Sequence, residues 1–83
     1  MNFLRSVLKE IDYTWQTSDE IYERIKKNNP SINQREIIHA LSNLVYEKSI
    51  EREQPGKRKN QKYRRCKEWF IKNRKWAGQE GIL

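Results

Sequence analysis

The sequence predicts a single small domain that is mainly α-helical and carries one β-hairpin. Three segments that precede Ser49 repeat their apolar side chains with the 3.6-residue period of amphipathic helices. After Ser49 this period gives way to short strand-like segments on either side of a Pro-Gly pair. The 83 residues suffice for one thin core and are too few to enclose a deep substrate cleft.

The first element is a helix predicted over "NFLRSVLKEID", whose apolar side chains lie on one face while its polar side chains lie on the other. The apolar face comprises Phe3, Leu4, Val7, Leu8 and Ile11. The segment "YTWQ" follows this helix. We expect a short extended segment there, because Tyr13 and Trp15 alternate with polar residues.

The second and third helices are each predicted to begin at a capping residue. Thr17 stands three residues before Glu20, which is the spacing of a capping box. Asn33 stands three residues before Glu36, and Pro30 interrupts helical structure between the two segments. The predicted buried residues are Ile21 and Ile25 in the second helix, Ile32 in the turn, and Ile37, Ala40, Leu41, Leu44 and Val45 in the third helix.

The hairpin is predicted from "SIEREQ" and "QKYRRC", in which Ile50 and Tyr63 would face inward. Between and within these strands, residues 54 to 65 ("QPGKRKNQKYRR") contain six basic side chains and no carboxylate. Residues 1 to 54 carry eight basic and nine acidic side chains, whereas residues 55 to 83 carry ten basic and two acidic ones. The flanking strands favour a structured basic finger over a disordered tail, and the charge asymmetry indicates a polyanionic partner, most often nucleic acid.

The remaining segment, "KEWFIKNRKWAGQEGIL", is compatible with two structures. As a helix ending at Gly78, it would bring one set of residues onto a single face: Trp69, Phe70, Asn73, Trp76 and Ala77. As a strand, it would place Trp69 and Ile71 on one face. We favour the helix, with "GQEGIL" frayed. Its aromatic residues could pack on the core, form a dimer contact, or touch nucleic acid or a membrane, in that order of preference.

The composition argues against catalysis, a metal or a cofactor. His39 is the only histidine and Cys66 the only cysteine, whereas metal sites usually need three or four ligands. The carboxylates Asp19, Glu20 and Glu23 lie near a helix start, where capping is the simpler explanation. No apolar run approaches the roughly 20 residues of a membrane helix, and the N-terminal segment is charged too early for a secretory signal. We therefore expect a soluble cytoplasmic protein that is not an enzyme and does not bind membranes.

The order of the elements is helix, extended segment, helix, turn, helix and hairpin. Three segments carry a family resemblance: "WQTSDEI" at the start of the second helix, "INQREIIHALSNLV" at the third, and "KSIEREQPGKRKNQKYRR" in the hairpin. Together they resemble the winged helix-turn-helix superfamily, and are similar to small bacterial and phage regulators. The resemblance implies a domain over residues 1–66 and an extension over 67–83. Such proteins usually have Gly, as a left-handed helix cap, where this chain has Ser49.

The resemblance implies a transcriptional regulator that binds specific sequences of double-stranded DNA. The third helix, residues 34–47, would enter the major groove, and the wing, residues 50–66, would contact phosphate or the minor groove. The implied contact residues are Gln34, Arg35, His39, Ser42, Asn43 and Tyr46 on the helix and Lys57, Arg58, Lys59, Lys62, Arg64 and Arg65 on the wing.

The same residues are also compatible with roles that do not involve duplex DNA. Any solvated helix face shows exposed polar side chains. Protection of an edge strand, in contrast, needs only one or two charges, and this stretch has six basic side chains in twelve residues. Winged helices also serve as protein-interaction adaptors, and the C-terminal aromatic residues could bind single-stranded RNA or DNA. One such domain covers few base pairs, so a homodimer through residues 67–83 or a protein partner is expected to supply specificity.

Overall fold

The computed structural model describes residues 3–53 and 61–82. It confirms a mainly helical protein with a small antiparallel sheet. The elements in chain order are α1 (Phe3–Lys9), β1 (Gln16–Thr17), α2 (Ser18–Asn28), α3 (Gln34–Glu47), β2 (Ile50–Arg52), β3 (Lys62–Arg65), α4 (Lys67–Lys72) and α5 (Arg74–Gln79). The predicted turn of the hairpin lies outside the described residues. It contains Lys57, Arg58 and Lys59.

The sheet has three strands in the order β1-β3-β2. The extended segment predicted after the first helix ends in β1, where Gln16 pairs with Tyr63 of β3. On the other side of β3, Arg52 of β2 also pairs with Tyr63. Gln16 is buried, and its side-chain oxygen accepts hydrogen bonds from the Asp12 amide (3.1 Å) and from Arg24 Nη1 (3.0 Å). These two hydrogen bonds satisfy the buried side-chain oxygen of Gln16. The addition of β1 to the sheet therefore leaves no unpaired acceptor at this position.

Both predicted capping residues begin their helices. The hydroxyl of Thr17 accepts a hydrogen bond from the Glu20 amide at 3.2 Å, and Oδ1 of Asn33 accepts one from the Glu36 amide at 2.9 Å. Each side chain satisfies one of the first-turn N–H groups that lack a partner within the helix. The starts of α2 and α3 are therefore determined by the local sequence.

The left-handed cap of α3 lies one residue earlier than the family resemblance implies. Lys48, not Ser49, has the left-handed conformation, with a φ of 74°. Ser49 is buried, its amide donates to the Leu44 carbonyl at 3.2 Å, and its hydroxyl donates to the same oxygen at 3.3 Å. A non-glycine residue in this conformation is strained, because its Cβ crowds the backbone. Ser49 therefore does not occupy the left-handed position in which such proteins usually have glycine.

One core joins the helices, the sheet and the C-terminal segment. Its residues are Val7, Leu8, Ile11, Ile21, Ile25, Ile32, Ile37, Ala40, Leu41, Leu44, Ile50, Tyr63, Phe70, Ala77 and Ile82. The helical periods predicted most of these residues. Three residues predicted on the apolar faces of the first and third helices lie further out, since Phe3 is 36% exposed and Leu4 and Val45 are only half-buried.

The C-terminal segment is helical, but it forms two short helices that meet at Asn73. Nδ2 of Asn73 donates to the Trp69 carbonyl at 2.8 Å, at the end of α4. Trp69 makes edge-to-face contacts with Phe70 and Trp76, at centroid distances of 5.0 and 5.5 Å. Phe70 is 3% exposed, and Trp69 and Trp76 pack against the core. The sequence left three roles open for these aromatic residues: core packing, a dimer contact, or contact with nucleic acid or a membrane. In the structure they pack on the core.

The expectation that "GQEGIL" is frayed is wrong for residues 78–82, the part of this segment that the structure describes. Gly81 takes the left-handed conformation, with a φ of 68°, and the Ile82 amide donates to the Ala77 carbonyl at 2.9 Å. This pattern is a Schellman cap, and it turns the Ile82 side chain into the core, where it is 2% exposed. The helical stop is thus Gly81 and not Gly78. In the part of the chain described, no helix combines the length and apolar character that spanning a bilayer requires.

Candidate nucleic-acid interface

The outer face of α3 is held rigidly and is open to solvent. Ile37 and Leu41 are fully buried on its inner side, so the helix cannot rotate without exposing apolar surface. All six residues predicted to contact DNA from this helix are exposed, namely Gln34, Arg35, His39, Ser42, Asn43 and Tyr46. Tyr46 is 90% exposed and Ile38, beside the polar residues, is 45% exposed. Gln34 donates a hydrogen bond to Asp19, which links the start of α3 to the first turn of α2.

On β3, alternation divides the predicted contact residues between two faces of the sheet. Tyr63 and Arg65 are buried, whereas Lys62 and Arg64 are half-buried and face the other way. Of the three predicted contact residues on this strand, only Lys62 and Arg64 therefore lie on the outer face of the sheet.

Arg65 has a structural role. It is 8% exposed, and its Nη2 donates to the carbonyls of Leu8 (3.2 Å) and Lys9 (3.3 Å) at the end of α1. Its guanidinium lies 4.9 Å from the centroid of the Phe70 ring. These contacts satisfy carbonyls that a helix end leaves without partners and join α1 to β3 and α4. Arg65 is therefore too deeply buried to contact phosphate, and we leave it out of the candidate interface.

Arg64 keeps a partly accessible guanidinium on the outer face of the sheet. Its Nε donates to Oε2 of Glu51 on the adjacent strand at 2.7 Å. The same guanidinium lies 4.3 Å from the centroid of the Trp15 ring. The ion pair offsets part of its positive charge, so Arg64 is a weaker candidate for phosphate contact than an unpaired arginine.

A groove of about 500 Å³ separates the outer face of α3 from the sheet. Its lining residues are Ser18, Ile38, Ser42, Arg52, Gln61 and Tyr63. Arg52 was not predicted from the sequence, because it lies in "SIEREQ", where its charge alternates with those of Glu51 and Glu53. Strand pairing explains its position, since Arg52 is opposite Tyr63 and shares its side of the sheet. Arg52 thus adds a positive charge beside Ser42 that the sequence pattern did not reveal.

The described residues do not group side chains as ligands for a metal ion. Within residues 3–53 and 61–82, no three His, Cys, Asp or Glu side chains are grouped as metal ligands. Cys66 is a free, half-buried thiol, and His39 is exposed on α3. The chemistry that these residues offer as a group is hydrogen bonding and charge attraction.

Comparison of the chain with protein-family models, with curated proteins and with solved structures finds no match. The function of the chain is therefore inferred from its fold, its charge and its exposed side chains.

Proposed function

We propose that this chain is a winged helix-turn-helix domain that binds double-stranded DNA and acts as a cytoplasmic transcriptional regulator in a bacterium or phage. One observation carries the proposal: α3 exposes a polar face beside a groove whose other wall is formed by β2 and β3, where Arg52 supplies a positive charge. The order of elements, from α1 and β1 through α2 and α3 to the two hairpin strands, agrees with the order on which the family resemblance depends.

In this proposal α3 reads base edges in the major groove. The helix has 14 residues, and its buried side is fully occupied by core contacts. Its exposed side is therefore free to enter the major groove of the DNA. Arg35 can donate two hydrogen bonds to guanine, and Asn43 can pair with adenine. Gln34, His39, Ser42 and Tyr46 would contact bases or phosphates. Specific readout would thus come from side chains that contribute little to the core.

The basic hairpin would supply most of the electrostatic attraction. Each Lys or Arg that neutralises a phosphate releases condensed counterions, whatever the base sequence. Lys57, Arg58 and Lys59 lie between β2 and β3 in the sequence, and Lys62 begins β3. A second copy of the domain or a partner protein would extend the few base pairs covered by one domain.

The C-terminal packing counts against a single-strand-binding function. Base stacking needs accessible aromatic faces. Phe70 is buried, and Trp69 and Trp76 are half-buried against the core and against each other. Binding through these rings would first require that the C-terminal helices separate from the core.

A salt titration on two duplexes tests the proposal. The preferred duplex is selected from a random pool, and the second is its scrambled version. Replacing Lys57, Arg58 and Lys59 together with Ala should weaken binding to both and make the slope of log affinity against log salt shallower by about two to three units. Arg35→Ala or Asn43→Ala should cost about 1 to 3 kcal/mol on the preferred duplex and much less on the scrambled one.

The matched control removes the same charge from the C-terminal helices by replacing Lys72, Arg74 and Lys75 with Ala. All three are exposed, so the fold should tolerate the change. This control should leave the salt slope close to that of the unmodified chain. Equal losses for the two triple variants, or no selection of a preferred duplex, would refute the proposed mode of binding.

A further inference from the structure

We propose that the groove between α3 and the sheet binds a phosphate group, and that Arg52 is the side chain that holds it. The inference rests on the proposed function, because we assign the phosphate to a DNA backbone. It adds a binding site and a residue that the sequence pattern did not reveal. Its experiment separates a backbone phosphate from a free phosphate ion.

The first observation is the environment of Arg52 compared with the other arginines that are at least half-buried. Four of these have acceptors: Arg5 with Glu80, Arg24 with Asp12 and Gln16, Arg64 with Glu51, and Arg65 with the carbonyls of α1. Arg52 is also half-buried, yet within the described residues its side chain forms no hydrogen bond or ion pair. Its Nε is buried without a partner, as is that of Arg65, but Arg65 has acceptors at Nη2. A partly desolvated cation without an acceptor is unfavourable, and it indicates a missing partner of negative charge.

The second observation is the chemistry of the groove. Ser18 and Ser42 bring hydroxyl groups, and Gln61 brings an amide whose Nε2 also donates to the Glu53 carbonyl at 3.0 Å. Among the described lining residues there is no carboxylate. The neighbouring Glu51 lies on the opposite face of the sheet, where Arg64 pairs with it. The groove therefore offers donors and one positive charge, which suits an anion and disfavours a cation.

The third observation is the orientation and size of the site. The Arg52 guanidinium lies 5.7 Å from the centroid of the Tyr63 ring, a contact that restricts its position. A planar guanidinium can donate two parallel hydrogen bonds to phosphate oxygens. The groove, at about 500 Å³, has room for a phosphate and its sugar.

The apolar residue in the groove favours a nucleotide backbone over a free phosphate ion. Ile38 lines the groove and is 45% exposed on the outer face of α3. A free phosphate would leave this side chain against water, whereas a deoxyribose would cover it and remove apolar surface from solvent. Because Ser42 lies on both the groove and the exposed face of α3, one duplex could contact both at once.

The test follows the Nε–H signal of Arg52 by NMR in the 15N-labelled chain. One titration uses a short random-sequence duplex, and the other uses inorganic phosphate alone. The duplex should shift the Arg52 signal and the Ser42 amide at concentrations where inorganic phosphate does not. Arg52→Gln should weaken duplex binding on the order of tenfold, as expected for a charged hydrogen bond. It should make the salt slope shallower by about one unit.

Two further variants keep the test specific. Arg52→Lys retains the positive charge but cannot donate two parallel hydrogen bonds as a guanidinium does. This variant should therefore preserve the salt slope while losing part of the affinity. Arg74→Gln, an exposed arginine on α5, should leave both quantities unchanged. Thermal unfolding of each variant checks that the fold is intact.

The outcomes distinguish this inference from the function on which it rests. If the duplex binds, yet the Arg52 signal stays in place and Arg52→Gln has wild-type affinity, the phosphate groove is refuted while DNA binding stands. If no duplex binds but inorganic phosphate shifts the Arg52 signal, the proposed function is refuted and the groove is supported as a site for free phosphate. If neither ligand shifts the signal, the groove is refuted as a phosphate site.

Discussion

The inward and outward sides of α3 and β3 differ sharply, although neighbouring residues occupy them. On α3, Leu41 is fully buried and the next residue, Ser42, is exposed beside the groove. On β3, Arg65 holds the end of α1 while its neighbour Arg64 lies on the outer face of the sheet. Two arginines that look equivalent in the sequence therefore serve different purposes.

This difference shows that the position of a side chain relative to the core, and not its residue type, decides whether it contributes to the stability of the fold or is available for binding. Inward side chains lose solvent and gain fixed protein partners, so their removal leaves cavities or unpaired groups. Outward side chains keep water as an alternative partner, so their removal changes the free energy of unfolding little. Substitutions of neighbouring residues should thus separate the two properties.

The largest expected effect is on α3. Leu41→Ala should lower the free energy of unfolding by roughly 2 to 5 kcal/mol, because it leaves a cavity in the core beneath the helix. Ser42→Ala, the neighbouring control, should change it by less than about 0.5 kcal/mol, as for most surface positions. Chemical denaturation of both variants measures the difference. Similar unfolding midpoints for the two would mean that the inward and outward sides of α3 are assigned incorrectly.

An intermediate effect is expected on β3. Arg65→Ala should cost about 1.5 to 3 kcal/mol, since it removes charged hydrogen bonds and leaves the carbonyls of Leu8 and Lys9 without donors. Arg64→Ala should cost less than about 1 kcal/mol, because its ion pair with Glu51 is partly exposed. Thermal unfolding compares the two variants. A larger loss for Arg64→Ala would contradict the comparison.

The smallest effect is expected at the end of α3, where Lys48 is exposed and Ser49 is buried. Lys48→Gly should raise the free energy of unfolding by about 0.5 to 1 kcal/mol, because glycine takes a φ of 74° without steric strain. Lys48→Ala keeps the Cβ and should give no such gain. If both variants stabilise the protein equally, the loss of the lysine charge and not the backbone conformation is responsible.

The helices were predictable because their signals are local. The apolar period of α3 and the caps at Thr17 and Asn33 act within three or four residues along the chain, and all appear in the structure. The charge asymmetry is likewise a property of the sequence. The role of Arg65 could also have been predicted, since Tyr63 was placed inward and strand side chains alternate with a period of two.

The C-terminal segment was harder to predict, because its local signals are weaker than its packing. No proline or glycine marks the division of the segment at Asn73. A side-chain bond to Trp69 and the burial of Phe70 and Ala77 accompany that division. The sequence suggested a helix end at Gly78, whereas the left-handed Gly81 and the burial of Ile82 identify Gly81 as the cap.

The sequence by itself determined where α2 and α3 begin, which face of α3 is apolar, and that the excess positive charge lies in the second part of the chain. The tertiary structure alone decided which arginines have partners. Arg65 meets the carbonyl of Leu8 across 57 residues of chain, and Arg52 meets no acceptor among the described residues. The physical reason is that helical period and capping depend on near neighbours, whereas the environment of a charge depends on groups that only folding brings together.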